Sequence, residues 1–218
     1  MMGFYILLML SVVVIFSYQW FAEADQRRAL YLRHYALPKT VLEGLQQRYP
    51  QLSSEQLAQV EHGLLRFFAY QQTSHDQALV PPSVVVAALW AVFAQDTSIY
   101  RQFCLRAFGK VYPPVAAAAM GEDKQRSRAL SLTWALSCRD EVINPRTPSS
   151  LPLLFGLDTA LDIRDGLRYR LDSTGVYTEG QRIAADNLIR DGEKNAVFCH
   201  NIAMLQADYD LNDYFDPQ

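Results

Sequence analysis

The chain has 218 residues, half of them hydrophobic, and a formal net charge of −3 from 20 basic and 23 acidic residues. The basic residues are scattered, which argues against the basic stripe or face of a nucleic-acid-binding protein. Three widely spaced cysteines, Cys104, Cys138 and Cys199, argue against a disulfide framework and favour a reducing compartment.

The N-terminal segment over residues 3–21 contains no charged residue. As a helix it would extend about 28 Å, close to the thickness of the hydrocarbon core of a bilayer. Arg27, Arg28 and Arg33 follow the segment, and only the α-amine precedes it. Because basic flanks stay in the cytoplasm, we predict a single-pass anchor in the inner membrane, with lipid contact through residues 3–21 and the C-terminal domain in the cytoplasm.

A cleaved signal peptide is the alternative, since residues 22–24 (Ala-Glu-Ala) resemble a cleavage site. The product would then be a secreted or periplasmic domain. The stretch "MMGFY" has no Lys or Arg, and bulky Trp20 and Phe21 adjoin the site, so the pattern favours the retained anchor.

The next elements in chain order are predicted to be helices. Residues 24–36 continue the anchor until Pro38, and residues 39–50 form a helix with Thr40 as N-cap. Ser53 and Gln56 form a capping box. The helix that follows has apolar residues at helical spacing, namely Leu57, Val60, Leu64, Phe67 and Phe68.

A loop over residues 73–83 leads to Ser83, the predicted N-cap of a helix that contains Trp90. Asp96 or Thr97 is expected to cap a second helix, which Gly109 ends as a C′ residue. The stretch 89–114 is therefore interpreted as a helical hairpin or a kinked helix with one aromatic face. Its packing residues are Trp90, Tyr100, Phe103, Cys104 and Phe108.

Further helices are predicted over residues 115–120, 122–143 and 151–163. The apolar positions of the long helix are Leu130, Leu132, Trp134, Leu136 and Val142. Residues 166–172 alternate like a strand. The sequence thus predicts a mainly α fold, with an N-terminal transmembrane helix and one α-helical domain that includes a small β element near 166–172. We expect the anchor over 1–24, the globular domain over 25–172, and a polar extension with an acidic tail over 173–218.

Motifs for catalysis, cofactors and metals are not found in the sequence. His34, His62, His75 and His200 form no H-x-x-x-H pair, and the chain has no C-x-x-C motif and no glycine-rich phosphate loop. The stretch 208–213 has part of the spacing of a calcium loop, but Asp213 stands where glycine is needed. Buried Cys104 is expected to be inert. The acidic pairs 122–123 and 140–141 are interpreted as solvated helix ends or caps. We assign no metal, cofactor or catalytic residue.

Two stretches, "PPSVVVAALWAVFAQDTSIYRQFCLRAFGKVY" (81–112) and "SLTWALSCRDEVINPRTPSSLPLLFGLDTALDIRDGLRYRLD" (131–172), resemble the bacterial, membrane-anchored branch of the glycine-rich domain-containing-protein-like family. The resemblance covers about residues 30–172. It is most specific in the P-S…W…Y-x-x-F-C-x-x-A-F-G run and the L-P-L-L-F-x-L-D block. The family has no assigned activity, so the resemblance implies a fold and a topology.

The chain departs from that family at its polar positions. Ala91 stands where relatives have His after the Trp, and Ala87 and Ala88 stand where a pair with Asp is usual. Pro113 and Pro114 replace a His-His pair, and the Gly/Cys-rich ending is missing. Any polar or metal site that those histidines form in the family is therefore expected to be lost here.

These observations favour a membrane-anchored, cytoplasm-facing interaction or scaffold module with a protein partner, more than an enzyme. The alternative is a hydrolase-like enzyme with a site assembled from distant residues such as His62, His75 and Asp96.

Overall fold

The computed structural model describes residues 9, 23–74, 77, 79–117, 124–145, 147–172 and 175–178. Within these ranges the chain is mainly helical, as the sequence predicts. In this part of the chain, no helix has both the length and the apolar character needed to cross a bilayer. Several predictions lie outside the described residues, namely the anchor over 3–21 apart from Met9, the acidic pair 122–123, His75, Cys199, His200, and the tail that contains 208–213.

Seven helices and a hairpin make up the described fold. Helix α1 covers residues 23–34, and it is followed by α2 (Lys39–Arg48), α3 (Ser54–Thr73), α4 (Val84–Phe93), α5 (Thr97–Phe108), α6 (Lys124–Asp140) and α7 (Leu153–Ala160). Strands β1 (Tyr169–Asp172) and β2 (Gly175–Thr178) pair antiparallel, with Tyr169 opposite Thr178 and Asp172 opposite Gly175.

Local capping rules set several of the helix ends. The capping box of Ser53 and Gln56 is present, and the Ser83 side chain accepts from the Val86 N–H. Gly109 has a φ of 76° at the end of α5, a left-handed conformation that only glycine adopts without strain. These predictions are confirmed. The cap at Thr40 is wrong, because α2 begins directly after Pro38, whose fixed φ is already helical.

Helix α3 lies at the centre of the fold and packs against α2, α4, α6 and α7. Its five predicted apolar positions are all buried. Helix α5 covers another side of this core, where Phe103 contacts Phe68 of α3 and Phe93 of α4. Helix α1 packs on α5 in turn, because the rings of Tyr31 and Tyr35 both contact Phe103.

Other sequence predictions also differ from the structure. Residues 115–117 are not helical, although Ala and Val follow one another there. Helix α6 ends at Asp140 rather than at position 143, and Val142, predicted as an apolar packing position, is 93% exposed. The strand is shorter than predicted and begins at Tyr169. Helix propensity is a weak preference that tertiary packing overrides, which accounts for the first difference.

Candidate functional site

A heavily hydrogen-bonded polar group among the described buried residues is the carboxylate of Asp158, which is 1% exposed. It accepts from Ser83 Oγ at 2.6 Å, from the backbone N–H groups of Val84 and Val85 at 2.7 and 3.3 Å, and from the Leu167 N–H at 2.8 Å. Because every partner is a donor, the group acts as an ionised carboxylate does. The negative charge also lies at the N-terminus of α4, where the helix dipole stabilises it.

The contacts of Asp158 connect three separate parts of the chain. They join α7, on which Asp158 lies, to the start of α4 and to the segment that leads into β1. Ser83 and Asp158 belong to the P-S and L-P-L-L-F-x-L-D pieces of the resemblance. Ser83 is fully buried and donates to the Asp158 carboxylate, so its oxygen is not accessible to a substrate. This arrangement connects α4, α7 and the approach to β1 within the core.

Tyr169 lies near this carboxylate, and its hydroxyl has no hydrogen-bond partner among the described residues. The ring contacts Phe155, at 4.9 Å between ring centroids. Burial raises the pKa of Tyr169, and the negative charge of Asp158 raises it further. Tyr169 is therefore a neutral, apolar part of the core at physiological pH.

A second polar network runs through the aromatic hairpin of α4 and α5. Trp90 Nε1 donates to the Tyr100 hydroxyl at 2.6 Å, and that hydroxyl donates to the backbone carbonyl of Tyr112 at 2.5 Å. Burial raises the pKa of Tyr100. The network ties the chain that leaves α5 back to the core, as the packing interpretation of this stretch predicts.

Both described cysteines are free and buried, as predicted. Burial raises the pKa of the Cys104 thiol, and it raises the pKa of Cys138 to about 12. A nucleophilic cysteine needs a lowered pKa and access to solvent. These two thiols have neither and act as small apolar core groups.

A half-buried charged cluster joins α3, α6 and α7. Arg66 Nη1 lies 3.3 Å from Asp140 Oδ2 and 3.0 Å from Glu141 Oε1. The Tyr70 hydroxyl donates to Asp140 at 2.8 Å, and the Leu153 N–H donates to Glu141 at 3.0 Å. Glu141 thus caps the start of α7. The sequence predicts Asp140 and Glu141 as a solvated helix end or cap. Their contacts also connect α3, α6 and α7 to one another.

Two of the three candidate residues of an enzyme site, His62 and Asp96, lie among the described residues, and both are exposed. His62 is exposed on α3, and His34 is exposed at the end of α1. Asp96 is exposed, and its carboxylate accepts from the Ile99 N–H as the N-cap of α5. Among the residues described here, no three His, Cys, Asp or Glu side chains are grouped so that they could hold a metal ion. Where the relatives' histidines would lie, Ala91 is half-buried, and Pro113 and Pro114 are exposed.

Sequence reasoning missed the residues that organise the interior and one exposed residue. Asp158 is a single acid within an apolar block, and its donors lie 9 and 73–75 positions away along the chain. No local pattern indicates such a contact. The apolar periodicity predicts Val142 as a packing position, and neither its exposure nor its φ of 56° has a sequence signal.

A protein-family model described as UCP032817-like matches residues 27–190. The match begins at the basic flank of the uncharged N-terminal segment and includes every helix after α1, together with the hairpin. No curated protein and no solved structure matches the chain.

Proposed function

The chain belongs to the UCP032817-like family, and for this member we propose a membrane-anchored protein whose helical domain lies in the cytoplasm and binds another protein. The anchor is supported by the uncharged segment over 3–21 and by the basic residues Arg27, Arg28 and Arg33 that follow it. Two free, buried thiols are consistent with a reducing compartment.

The interior chemistry supports a binding role more than a catalytic one. The buried carboxylate of Asp158 is committed to four donors that hold α4, α7 and the approach to β1 together. The thiols of Cys104 and Cys138 are buried, with raised pKa values. Such groups stabilise a scaffold, and the function of a scaffold is found on its surface.

The observation that carries this proposal is the conformation of Val142. The end of α6 forms a Schellman motif, in which the Val142 N–H donates to the Arg139 carbonyl and the Ile143 N–H donates to the Cys138 carbonyl. The position after the cap normally holds glycine, yet a β-branched valine with a φ of 56° stands there, 93% exposed. Backbone strain of this kind costs about 1–3 kcal/mol and concentrates at functional sites.

The surroundings of Val142 also fit a contact surface. It directly follows Asp140 and Glu141, whose carboxylates are fixed by Arg66 and Tyr70 of α3. A rigid exposed apolar side chain next to ordered charges presents a surface that loses little conformational entropy when a partner binds. We propose this surface, Val142 with the Arg66–Asp140–Glu141 cluster, as the protein contact.

Substitution at Val142 separates stability from binding. Val142→Gly relieves the strained backbone and is expected to stabilise the fold by about 1 kcal/mol, while it removes the exposed side chain and lowers partner crosslinking. Val142→Asp is expected to abolish crosslinking. Ile99→Ala, at an exposed apolar residue of α5, is the matched control and should leave crosslinking unchanged.

Chemical crosslinking in native membranes, followed by mass spectrometry, measures partner binding. A urea unfolding curve of each variant measures its stability. The protein contact at Val142 is refuted if Val142→Asp gives the same adducts as the unchanged chain. Recovery of bulk lipid and abundant bystander proteins alone would refute the binding role as a whole.

The membrane part of the proposal is tested by a topology reporter fused after Gln218. A reporter pair active only in the cytoplasm or only in the periplasm should give the cytoplasmic signal. A periplasmic signal, or release of a shorter chain without residues 1–24, would instead support the cleaved signal peptide.

A further inference from the structure

Helix α1 is attached to the rest of the fold through few side chains. Within residues 23–34, Leu32 alone is buried, with 3% of its surface exposed, and Tyr31 is half-buried. Tyr35, which directly follows the helix, is also half-buried. Helix α3, by contrast, has eight buried residues. Because most of the stability of a helix in a protein comes from packing of its apolar face, α1 is held more weakly than α3.

The contacts of this N-terminal part converge on two aromatic rings of α4 and α5. Between ring centroids, Tyr35 lies 4.6 Å from Phe103 and 6.2 Å from Phe93. The ring of Tyr31 lies 6.0 Å from that of Phe103. With α1 docked, Phe93 is 0% exposed and Phe103 is 1% exposed. Removal of the two tyrosines would therefore expose part of an aromatic face.

Two polar contacts hold α1 and the residues after it to the domain. The Leu37 N–H donates to the Glu61 carboxylate of α3 at 2.8 Å. The guanidinium of Arg28 lies against Gly109, so near that an added Cβ would come within 2.6 Å of Nη2. Because Gly109 ends α5, this cation lies at the negative end of the α5 dipole, where it is stabilised.

Helix α1 is also too short to be stable once it leaves the domain. Isolated helices shorter than about 12–15 residues are marginal in water, and α1 has twelve residues. Undocking therefore releases backbone and side-chain entropy, which lowers its free-energy cost. Helix α3 packs against α2, α4, α6 and α7, so these helices have a common core of their own.

We infer that α1 is a strap, which undocks from α4 and α5 as a unit while the helices beneath it stay folded. The docked form shields the rings of Phe93 and Phe103, and the open form uncovers them. Such a local opening controls access to an aromatic face without a change in the remaining core. Undocking requires neither the proposed anchor nor the proposed contact at Val142, because it depends on the contacts of residues 28–37.

Native-state hydrogen exchange of the full chain in detergent solution, measured by mass spectrometry at low urea concentrations, tests this inference. When closing is fast, exchange reports the population of the open form. After correction for intrinsic rates, we expect the amides of α1 to exchange on the order of a hundredfold faster than those of α3. Their rates should also depend less on urea, because undocking exposes less surface than global unfolding.

A matched pair of arginine variants isolates the contact with the end of α5. Arg27→Ala and Arg28→Ala each remove an ion pair that lies within α1, but only Arg28 contacts Gly109. We expect Arg28→Ala to raise the exchange of α1 about threefold and Arg27→Ala to leave it unchanged. Tyr35→Ala, which removes the ring contacts with Phe103 and Phe93, should raise it about tenfold.

A core variant separates undocking from global unfolding. Leu154 of α7 is 1% exposed, and Leu154→Ala should raise the exchange of α3 at least about thirtyfold. The exchange of α1 should not change, because the docked and open forms lose the same stability. Equal acceleration of α1 and α3 would overturn the strap, as would equal urea dependence of the two helices in the unchanged chain, which serves if Leu154→Ala fails to fold.

Hydroxyl-radical footprinting measures exposure of the rings in the same samples. Oxidation of Phe103 should rise with Arg28→Ala in proportion to the exchange of α1, and Phe67 of α3, which is 0% exposed, should stay at background. Unchanged oxidation of Phe103 would refute the uncovering. Amides of α1 that exchange as fast as an unfolded chain, or equal effects of Arg27→Ala and Arg28→Ala, would show that these contacts do not hold α1.

Discussion

At the scale of single residues, Asp158 is the group on which the interior depends most. Asp158→Ala would leave four donors, three of them buried, without this acceptor, and the loss at a buried donor costs about 1–3 kcal/mol. Asp158→Asn keeps the shape but turns an amide N–H₂ toward N–H donors. We expect the alanine variant to lose at least about 4 kcal/mol of unfolding free energy and the asparagine variant about 2–3 kcal/mol.

Urea unfolding followed by circular dichroism measures these losses. Asp162→Asn is the matched control, because Asp162 is exposed and its ion pair with Arg168 is of the surface type that contributes little. Its φ of 48° is one that asparagine also tolerates. An unchanged urea midpoint for Asp158→Asn would show that Asp158 is not the hub of the interior.

Residues whose role depends on near neighbours could be predicted from sequence, and those whose role depends on distant partners could not. Ser83 and Asp96 cap helices through N–H groups three positions away, and Gly109 ends α5 through its own φ. Each is a local rule of backbone hydrogen bonding. Asp158 has its partners 9 and 73–75 positions away, so only the folded chain reveals its function.

At the scale of elements, the hairpin of α4 and α5 depends on Trp90, which is 2% exposed. Its ring contacts Phe67 and Phe68 of α3, and its Nε1 is the donor to Tyr100. Trp90→Ala is expected to lower the unfolding free energy by about 3–5 kcal/mol, because a cavity forms, and the Tyr100 hydroxyl also loses its donor. Trp90→Phe, which keeps a ring and loses the hydrogen bond, should cost less.

Thermal unfolding is a sufficient measurement, since 1 kcal/mol shifts the melting temperature by about 2–4 °C in a domain of this size. The alanine variant should therefore melt roughly 10 °C lower, or fail to fold. If Trp90→Ala melts with the unchanged chain, the stretch 89–114 is not a core element.

Hydrophobic periodicity alone does not predict where a helix ends, as α6 shows. The apolar pattern of α6 continued to Val142, but the helix ends at Asp140 because Glu141 caps α7 and holds Arg66. The Schellman motif then places Val142 in a conformation that its side chain disfavours. The position of the helix was predictable from its buried face, whereas its end follows from contacts with two other helices.

At the scale of the whole molecule, the pKa values that depart from their ordinary range among the described residues all shift in the same direction and for the same leading cause. Burial raises the pKa of Cys104 and Cys138 and of a set of tyrosines, namely Tyr31, Tyr35, Tyr49, Tyr70, Tyr100 and Tyr169. For Tyr35 the value is about 12 against an ordinary 10.0, and for Cys138 about 12 against 9.0. All of these groups are neutral when protonated, so the fold excludes their anions.

This shared sign predicts loss of stability in alkali. Above about pH 9 the unfolded chain releases thiol protons, and above about pH 10 phenol protons, that the folded chain still holds. The unfolded state then binds fewer protons than the native state, so the free energy of unfolding falls as the pH rises. The slope is about 1.4 kcal/mol per pH unit for each fully buried group, and the contribution is fully present below the unfolded pKa.

Urea midpoints between pH 7 and pH 11 test the prediction, with phenolate absorbance as a second reading of the tyrosines. Tyr169→Phe is the informative variant, because it removes a buried hydroxyl that has no partner among the described residues. It should be as stable as the unchanged chain at pH 7, or more so, and should lose less stability between pH 10 and pH 11. A midpoint that stays constant from pH 8 to pH 11 would contradict the buried, neutral state of these groups. It would mean that the interior admits water and charge, and the case for a scaffold rather than a reactive site would weaken with it.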